Sequence, residues 1–180
     1  MVKKIYLAGG CFWCTEAVFQ RVKGVTKVLP GYIDGFIKNP AYREVCTGRT
    51  GHAEAIEVQF DSSKIDLGEL LLIFFNTHDP TTLNQQGYDK GTQYRSGIYY
   101  TESDQLPMIQ SIIKKLESES VFTNPIVTEV KEATPFYTAE ETHHNYYNQN
   151  TEQSYCSFVI NPKLKKLEQN YANYIAIKNE

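Results

Sequence analysis

The chain has 180 residues, of which 41% are hydrophobic and 22% are charged, a composition typical of one globular domain with a full core. Its net charge of −3 lacks the basic footprint of a nucleic-acid-binding protein, and its strongest apolar run, residues 70–75, is far shorter than the ~20 residues of a membrane span. Four cysteines do not make a disulfide scaffold in a chain of this size and indicate redox chemistry, catalysis or metal binding. We expect one monomeric, cytoplasmic domain over residues 1–180, with neither nucleic acid nor membrane as a partner.

Hydrophobic runs separated by glycine and proline define the elements of the first half. Asp66 precedes an apolar face and is expected to cap a helix that ends near Asn76. The other predicted elements of this half are a strand over residues 3–8, a helix over 15–22, a strand over 24–29 bounded by Pro30-Gly31, a turn-rich segment over 42–51 and a strand over 54–60.

The second half alternates a strand, a helix and a strand before it becomes polar and aromatic. Its predicted elements are a polar loop over 81–93, a strand over 96–101, a helix capped by Ser103 or Asp104 whose core face carries Met108, Ile109, Ile112, Ile113 and Leu116, a strand over 126–130, a short helix near 139–146 and a final helix from Pro162 with Leu164, Leu167, Tyr171 and Tyr174 on one face. This order predicts an α/β (α+β) two-layer sandwich: a mixed β-sheet with helices packed on it, a ferredoxin-like core and an irregular C-terminal tail.

The segment from Gly9 to Cys14 carries the strongest chemical signal. Two glycines separate the first strand from the first helix, so Cys11 is expected at the helix N-terminus, where free amide groups and the helix dipole stabilise a thiolate and lower the thiol pKa below its usual ~8.5. Phe12 and Trp13 add large apolar surfaces beside the sulfur. The alternative interpretation is a buried structural cysteine with two core aromatics.

A nucleophilic thiolate needs an electrophile and groups that stabilise charge on the leaving oxygen. Tyr42, Asp89 and Tyr94 are polar candidates from turn-rich segments, and Glu54 begins a strand. A carboxyl buried at that place would titrate high and stay protonated near neutrality, which suits a general acid.

Histidines offer two rival interpretations. His52 could serve Cys11 as a base in a cysteine hydrolase. His143-His144, together with cysteines, could form a zinc site in a binding module, although only Cys11 and Cys14 have ligand-like spacing.

Several motifs together resemble the type A peptide-methionine sulfoxide reductases. They occur in order and span nearly the whole chain: Gly-Cys-Phe-Trp at 10–13, Tyr-Arg-Glu-Val-Cys at 42–46, Gly-His-Ala-Glu at 51–54, His-Asp-Pro at 78–80, Gly-Thr-Gln-Tyr-Arg-Ser at 91–96, Ala-Thr-Pro-Phe-Tyr at 133–137 and Gln-Ser-Tyr-Cys at 153–156. The family reduces the S epimer of methionine sulfoxide, free or in oxidised proteins, to methionine.

The resemblance implies a role for each candidate residue. Cys11 attacks the sulfoxide sulfur and becomes a sulfenic acid, Glu54 protonates the sulfoxide oxygen, and Tyr42 and Tyr94 hydrogen-bond to it. Phe12 and Trp13 form the apolar pocket that binds the S-methyl group of the substrate. Asp89 belongs to the polar network around it. No bound cofactor or metal is implied, and thioredoxin or another dithiol is the reductant.

A second cysteine must then form a disulfide with Cys11. The family's commonest signature has glycine after the tryptophan, whereas this chain has Cys14, as in a subset of members. Cys14 and Cys156 are therefore both candidate resolving cysteines, with Cys11–Cys14 favoured to form first, and Cys46 is expected to be structural. A general thiol–disulfide oxidoreductase built on Cys11–Cys14 remains an alternative.

Overall fold

The computed structural model describes residues 1–176. A six-stranded sheet, in the order β7-β6-β1-β3-β2-β8, forms its centre. All neighbours are antiparallel except β6 and β7, which are parallel, so the sheet is mixed. The strands are β1 (Val2–Ala8), β2 (Val25–Ile33), β3 (Ala53–Asp61), β6 (Gly97–Tyr100), β7 (Glu129–Glu132) and β8 (Tyr137–Thr138), and a separate hairpin pairs β4 (Gln85–Gln86) with β5 (Asp89–Lys90).

The helices are α1 (Phe12–Phe19), α2 (Tyr42–Cys46), α3 (Leu67–Asn76), α4 (Gln105–Ser118), α5 (Tyr146–Gln149) and α6 (Asn161–Asn170). The four strands β6-β1-β3-β2, with α1 after β1 and α3 after β3, have the antiparallel order of a ferredoxin-like core. The predicted two-layer α/β sandwich is therefore confirmed. Within the described part of the chain, no helix combines the length and the apolar character needed to cross a membrane.

Side-chain alternation along the strands sorts residues between the two faces of the sheet. Ile5 and Leu7 of β1 belong to the main core with the helices, whereas Ala8 belongs to a smaller cluster. On β3, Ile56 and Val58 lie in the main core. Glu54, two residues before Ile56, therefore shares the face that carries α1 and its N-terminal cysteine.

Two predicted boundaries are wrong because tertiary contacts override local signals. β2 runs through Pro30-Gly31, where the Pro30 carbonyl accepts a 2.9 Å hydrogen bond from the Ala139 amide. A side chain at position 31 would collide with Phe136 and the Tyr137 carbonyl, so glycine permits the close approach of β8. The helix predicted over 15–22 begins earlier, at Phe12, and ends at Phe19.

The helix-capping predictions divide. Asp66 caps α3, with its Oδ1 accepting a 2.8 Å bond from the Glu69 amide. Neither Ser103 nor the Asp104 side chain caps α4. Asp104 occupies the N-cap position, one of the two predicted, but without a capping hydrogen bond. The Oε1 of Gln105, the first residue of the helix, accepts a 2.9 Å hydrogen bond from the Thr101 amide and closes the turn before the helix. Met108 is also misplaced by the prediction, because it is exposed rather than buried.

The tail predicted to be irregular is built from short pieces that cross α1. A 3₁₀ turn (Glu141–His143), α5, a π-helical turn (Cys156–Ile160), α6 and a last 3₁₀ turn (Ala172–Tyr174) follow one another. The final helix ends at Asn170, before Tyr171 and Tyr174. The assignment of residues 1–180 to one domain stays a prediction, and its last four residues lie outside those described.

Candidate active site

The turn before α1 places Cys11 at the N-cap of the helix, as predicted. Gly10 has φ +88°, and a Cβ there would lie 2.6 Å from Gln86, so glycine is required for both backbone and space. The Cys14 amide donates a 3.0 Å bond to the Cys11 carbonyl, which closes the first helical turn. The side chains of Cys11 and Cys14 both line the same cavity.

Glu54 is buried beneath this turn with 1% of its surface exposed. Its Oε1 accepts a 3.2 Å hydrogen bond from the amide of Phe12, the residue after Cys11. Its Oε2 has no hydrogen-bond partner among residues 1–176. Burial raises the pKa of Glu54 to about 8, despite the bond from Phe12. Glu54 therefore supplies a neutral carboxylic acid near pH 7, as the sequence predicted.

The predicted acidic thiol at Cys11 is wrong for this resting arrangement. Burial raises the pKa of Cys11 well above its usual value, and the adjacent Cys14 and the charge of Glu54 act in the same direction. The pKa of Cys14 is lowered instead, chiefly by the adjacent Cys11 thiol and further by the nearby Lys163 ammonium. The helix terminus alone does not outweigh the removal of Cys11 from water.

Tyr42 and Tyr94 both lie close to Glu54 and Cys11. Tyr42 is the first residue of α2, and its backbone amide donates a 3.2 Å hydrogen bond to the Glu140 carboxylate. Tyr94 is the last residue of a 3₁₀ turn. Gln93 holds that turn against α2 through a 3.2 Å bond to the Cys46 carbonyl. Burial raises the pKa of both tyrosines, with the negative charge of Glu54 acting in the same direction, so both hydroxyls stay protonated.

Phe12 and Trp13 do not contribute equally to an apolar surface. Phe12 is fully buried and stacks on Tyr42, with ring centroids 6.1 Å apart. Trp13 is half-buried; it stacks on Tyr146 at 3.8 Å and donates a 3.1 Å hydrogen bond from Nε1 to Nδ1 of His143. Trp13 therefore offers an accessible wall, whereas Phe12 packs against Tyr42 in the core.

A cavity of about 250 Å³ opens beside the two cysteines. Asp89 from β5 reaches it and accepts a 2.7 Å hydrogen bond from the Tyr155 hydroxyl, whose oxygen also lies 3.5 Å from the Cys14 sulfur. The residues that line the polar part of this cavity are Cys11, Cys14, Asp89, Tyr155 and Lys163. The structure thus brings both cysteines and Asp89 into one cavity.

The other two cysteines differ in their surroundings. Cys156 is fully buried in the π-helical turn, and burial raises its pKa. Cys46 is exposed at the end of α2, so the prediction that it is structural receives no support from packing. All four cysteines are free thiols.

The rival histidine sites lack the contacts they need. The His52 ring is engaged by the Ile37 carbonyl at 2.7 Å and by the edge of Tyr137. His143 Nδ1 is occupied by Trp13. Across the residues that the structure describes, no group of three histidine, cysteine or acidic side chains could hold a metal ion.

Comparison with known proteins decides between the remaining interpretations. A profile of the family described as Peptide methionine sulfoxide reductase matches residues 3–175. The chain belongs to the peptide methionine sulfoxide reductase family. A relative from Chromobacterium violaceum named Peptide methionine sulfoxide reductase MsrA is 47% identical over 174 residues, which cover 97% of this chain and 99% of that one. The predicted membership, and with it an oxidoreductase, is confirmed.

Solved structures of a second relative agree with the fold. Mxr1 from Saccharomyces cerevisiae in its reduced form aligns with a TM-score of 0.79 and 36% identity, over 86% of this chain and 89% of that chain. Mxr1 in complex with Trx2 aligns with a TM-score of 0.56 and 27% identity, over 79% of this chain and 84% of that chain.

Sequence reasoning missed three contacts in this methionine sulfoxide reductase. Tyr155 lies in one of the family motifs, but the motif indicates no role for it, and no pattern in the sequence points to Lys163. His143 was considered only as a zinc ligand, whereas it fixes the Trp13 indole. No local sequence pattern predicts these contacts, because each joins residues more than 60 positions apart.

Proposed function

We propose that this chain reduces the S epimer of methionine sulfoxide, free or in oxidised proteins, to methionine, with Cys11 as the nucleophile. The single observation that carries the proposal is the buried Glu54 carboxyl. One of its oxygens accepts a hydrogen bond from the amide next to Cys11, and the other is buried with no partner in residues 1–176, which leaves it one hydrogen bond to make with the substrate oxygen.

Glu54 supplies the proton that the sulfoxide oxygen needs in order to leave. A carboxyl with a pKa of about 8 is mostly protonated at pH 7 and can donate to the oxygen as sulfur is attacked. The neutral hydroxyls of Tyr42 and Tyr94 donate further hydrogen bonds to the same oxygen. Together they stabilise the charge that develops there.

The first step balances with the groups at hand. The Cys11 sulfur attacks the substrate sulfur. The oxygen then forms a bond to the Cys11 sulfur, the substrate sulfur loses its bonds to that oxygen and to Cys11, and methionine leaves. The Glu54 proton stays on the oxygen, which gives a sulfenic acid at Cys11. The proton of the Cys11 thiol replaces the one that Glu54 has donated, so Glu54 is protonated again at the end of the step. The substrate sulfur is reduced and Cys11 is oxidised.

Apolar contact with Trp13 selects the S-methyl group of the substrate. Its ring is held between the stacked Tyr146 and the hydrogen bond to His143, so the wall is fixed before substrate arrives. Sulfur and methyl groups pack favourably beside aromatic rings. Phe12 stacks on Tyr42 and fixes its position. Asp89 is a polar residue of the substrate cavity.

Recycling requires a second cysteine, Cys14 or Cys156, and then an external dithiol. The Mxr1 relative has been solved with Trx2, which supports thioredoxin as the reductant here. We further propose that the protein works as a monomeric repair enzyme against oxidative stress in the cytoplasm.

The test is turnover of each pure sulfoxide epimer with thioredoxin, thioredoxin reductase and NADPH. We expect NADPH consumption with the S epimer and none above background with the R epimer. Equal rates with both epimers, or thioredoxin-driven reduction of disulfides but not of sulfoxides, would favour the general thiol–disulfide oxidoreductase instead.

A further inference from the structure

Cys14 is buried beside Cys11, and within residues 1–176 its sulfur has the Tyr155 hydroxyl as its hydrogen-bond partner. Only 4% of the Cys14 surface is exposed. On the cavity side, its sulfur lies 3.5 Å from the Tyr155 hydroxyl oxygen, and that hydroxyl lies 2.7 Å from Oδ2 of Asp89. Asp89 is half-buried at the outer end of this row. The three side chains therefore connect a buried thiol to solvent.

A phenol has one proton, so Tyr155 cannot donate to both neighbours at once. Two arrangements satisfy both contacts. In the first, the Cys14 thiol donates to Tyr155 and Tyr155 donates to the Asp89 carboxylate. In the second, every proton has moved one place along the row, which leaves a thiolate at Cys14. The geometry allows the change without movement of a heavy atom.

The charges around the row favour the second arrangement when a nucleophile is needed. Lys163 lies across the cavity, anchored by a 3.1 Å bond to the Thr77 carbonyl, and its ammonium attracts negative charge on Cys14. The other titratable groups that face the row are Cys11 and Glu54, whose carboxyl is neutral near pH 7. Burial raises the pKa of Tyr155, so the tyrosine passes a proton without ionising itself.

We propose that Tyr155 and Asp89 form a proton relay that activates Cys14 as the resolving cysteine. This inference rests on the proposed function, because it needs the sulfenic acid at Cys11. The Cys14 sulfur forms a bond to the Cys11 sulfur, and the sulfur–oxygen bond of the sulfenic acid breaks. The Cys14 proton moves to Tyr155 as the Tyr155 proton moves to Asp89. The departing hydroxide takes up one proton from solvent and leaves as water, and Asp89 releases the proton it received to solvent. Cys14 is oxidised and Cys11 is reduced.

Cys156 has no comparable connection in the described residues. It is fully buried and does not line the cavity, although it is the neighbour of Tyr155 in sequence. The relay therefore gives the local cysteine priority, and exchange with Cys156 would follow only after the first disulfide has formed.

The experiment is a single turnover with one equivalent of methionine (S)-sulfoxide and no reductant, stopped at intervals. Methionine is quantified, the Cys11 sulfenic acid is trapped with dimedone, and disulfides are identified by peptide mass spectrometry. In Tyr155→Phe we expect methionine at the wild-type rate, accumulated sulfenic acid, and Cys11–Cys14 formation slower by roughly 10- to 100-fold near pH 7. Asp89→Asn should slow the same step.

A pH series separates a relay from mere packing. Because hydroxide can replace the relay, disulfide formation in Tyr155→Phe should recover as the pH rises. Tyr171→Phe, which removes a half-buried hydroxyl bonded to Asn76 at 2.7 Å, is the matched control and should behave as the wild type.

Disulfide formation at the wild-type rate in Tyr155→Phe would overturn the relay. Absence of methionine from the wild-type protein would overturn the proposed function, and the relay with it. If Tyr155→Phe alone fails to form methionine, the relay is tested instead by the pH dependence of Cys14 alkylation in the protein without substrate. A midpoint at higher pH than in the wild type supports the relay, and an unchanged midpoint contradicts it.

Discussion

The two sides of the Cys11 sulfur are built by different parts of the chain. On one side, Glu54 projects from the central strand β3 and is buried under the turn before α1. On the other side, Tyr155 and Lys163 come from the C-terminal tail, where a π-helical turn separates short helical pieces. The first side has a fixed acid on a rigid sheet, and the second has a row of exchangeable protons beside an open cavity.

This difference separates two chemical tasks. Proton donation to a sulfoxide needs an acid whose pKa is set by burial, and a sheet provides that. Disulfide formation and later attack by thioredoxin need sulfur atoms that change partners, and a tail held by side-chain contacts can allow this. Variants on the Glu54 side should therefore affect methionine formation, whereas variants on the Tyr155 side should affect recycling.

Among the variants that keep the Cys11 nucleophile, Glu54→Gln should have the largest effect on methionine formation. An amide keeps the shape but cannot protonate the leaving oxygen, so we expect a loss of about 10²- to 10⁴-fold in single-turnover rate. In the wild type the acid form is lost as the pH rises through about 8, so the rate should fall there; Glu54→Gln should lack that fall.

The matched control is Glu57→Gln on the same strand. Glu57 pairs with Lys4 at 2.8 Å on the other face of the sheet. This variant should retain methionine formation within a few-fold. If Glu54→Gln did so as well, Glu54 would not be the general acid. Cys11→Ser should abolish the reaction completely.

Cys14→Ser should slow recycling without preventing methionine formation. One methionine per chain should still form, whereas thioredoxin-driven turnover should fall by about tenfold or more, because the sulfenic acid must wait for a more distant thiol. Both quantities are measured on the same preparation. Undiminished steady-state turnover would assign resolution to Cys156. Cys46→Ser, which removes an exposed thiol, is the control.

Trp13→Ala should weaken substrate binding rather than chemistry. Loss of the accessible indole removes apolar contact of about 1.5 kcal/mol, so we expect KM to rise about tenfold with a smaller change in kcat. Trp13→Phe should restore most of the binding because it keeps an aromatic wall. Kinetics equal to the wild type in Trp13→Ala would mean that the ring serves only packing.

Of these variants, Tyr94→Phe should have the smallest effect on sulfoxide reduction. It removes one neutral hydrogen bond of about 1 kcal/mol to the sulfoxide oxygen, so kcat/KM should fall about fivefold. Tyr174→Phe removes a hydroxyl bonded to Glu69 at 2.9 Å, far along the chain from the cysteines, and serves as the comparison. A larger loss in Tyr174→Phe than in Tyr94→Phe would point to stability rather than to oxygen binding.

The sheet and the Glu54 side could be predicted from the sequence because their signals are local. The strand that ends at Ala8, the glycine turn and Cys11 are contiguous, and the alternation after Glu54 fixes which face the carboxyl occupies. The N-cap position of Cys11 followed directly. Its thiol pKa did not, because burial depends on residues from the whole fold.

The Tyr155 side could not be predicted in the same way. Tyr155 lies 66 positions from Asp89 and 141 from Cys14, and an irregular tail has no periodicity that would place its side chains. The boundary set at Pro30-Gly31 failed for a related reason. A turn signal there reflects the close approach of β8, which only the folded chain reveals.

The most direct test of the central claim is a pH titration of the Glu54 carboxyl itself. The ¹³C chemical shift of its Cδ, assigned by comparison with Glu54→Gln in labelled protein, reports protonation without any substrate. We predict one transition for Glu54 with a midpoint at about pH 8. A midpoint near the ordinary glutamate value of about 4.3 would mean that Glu54 is ionised at neutrality and would contradict its role as the acid.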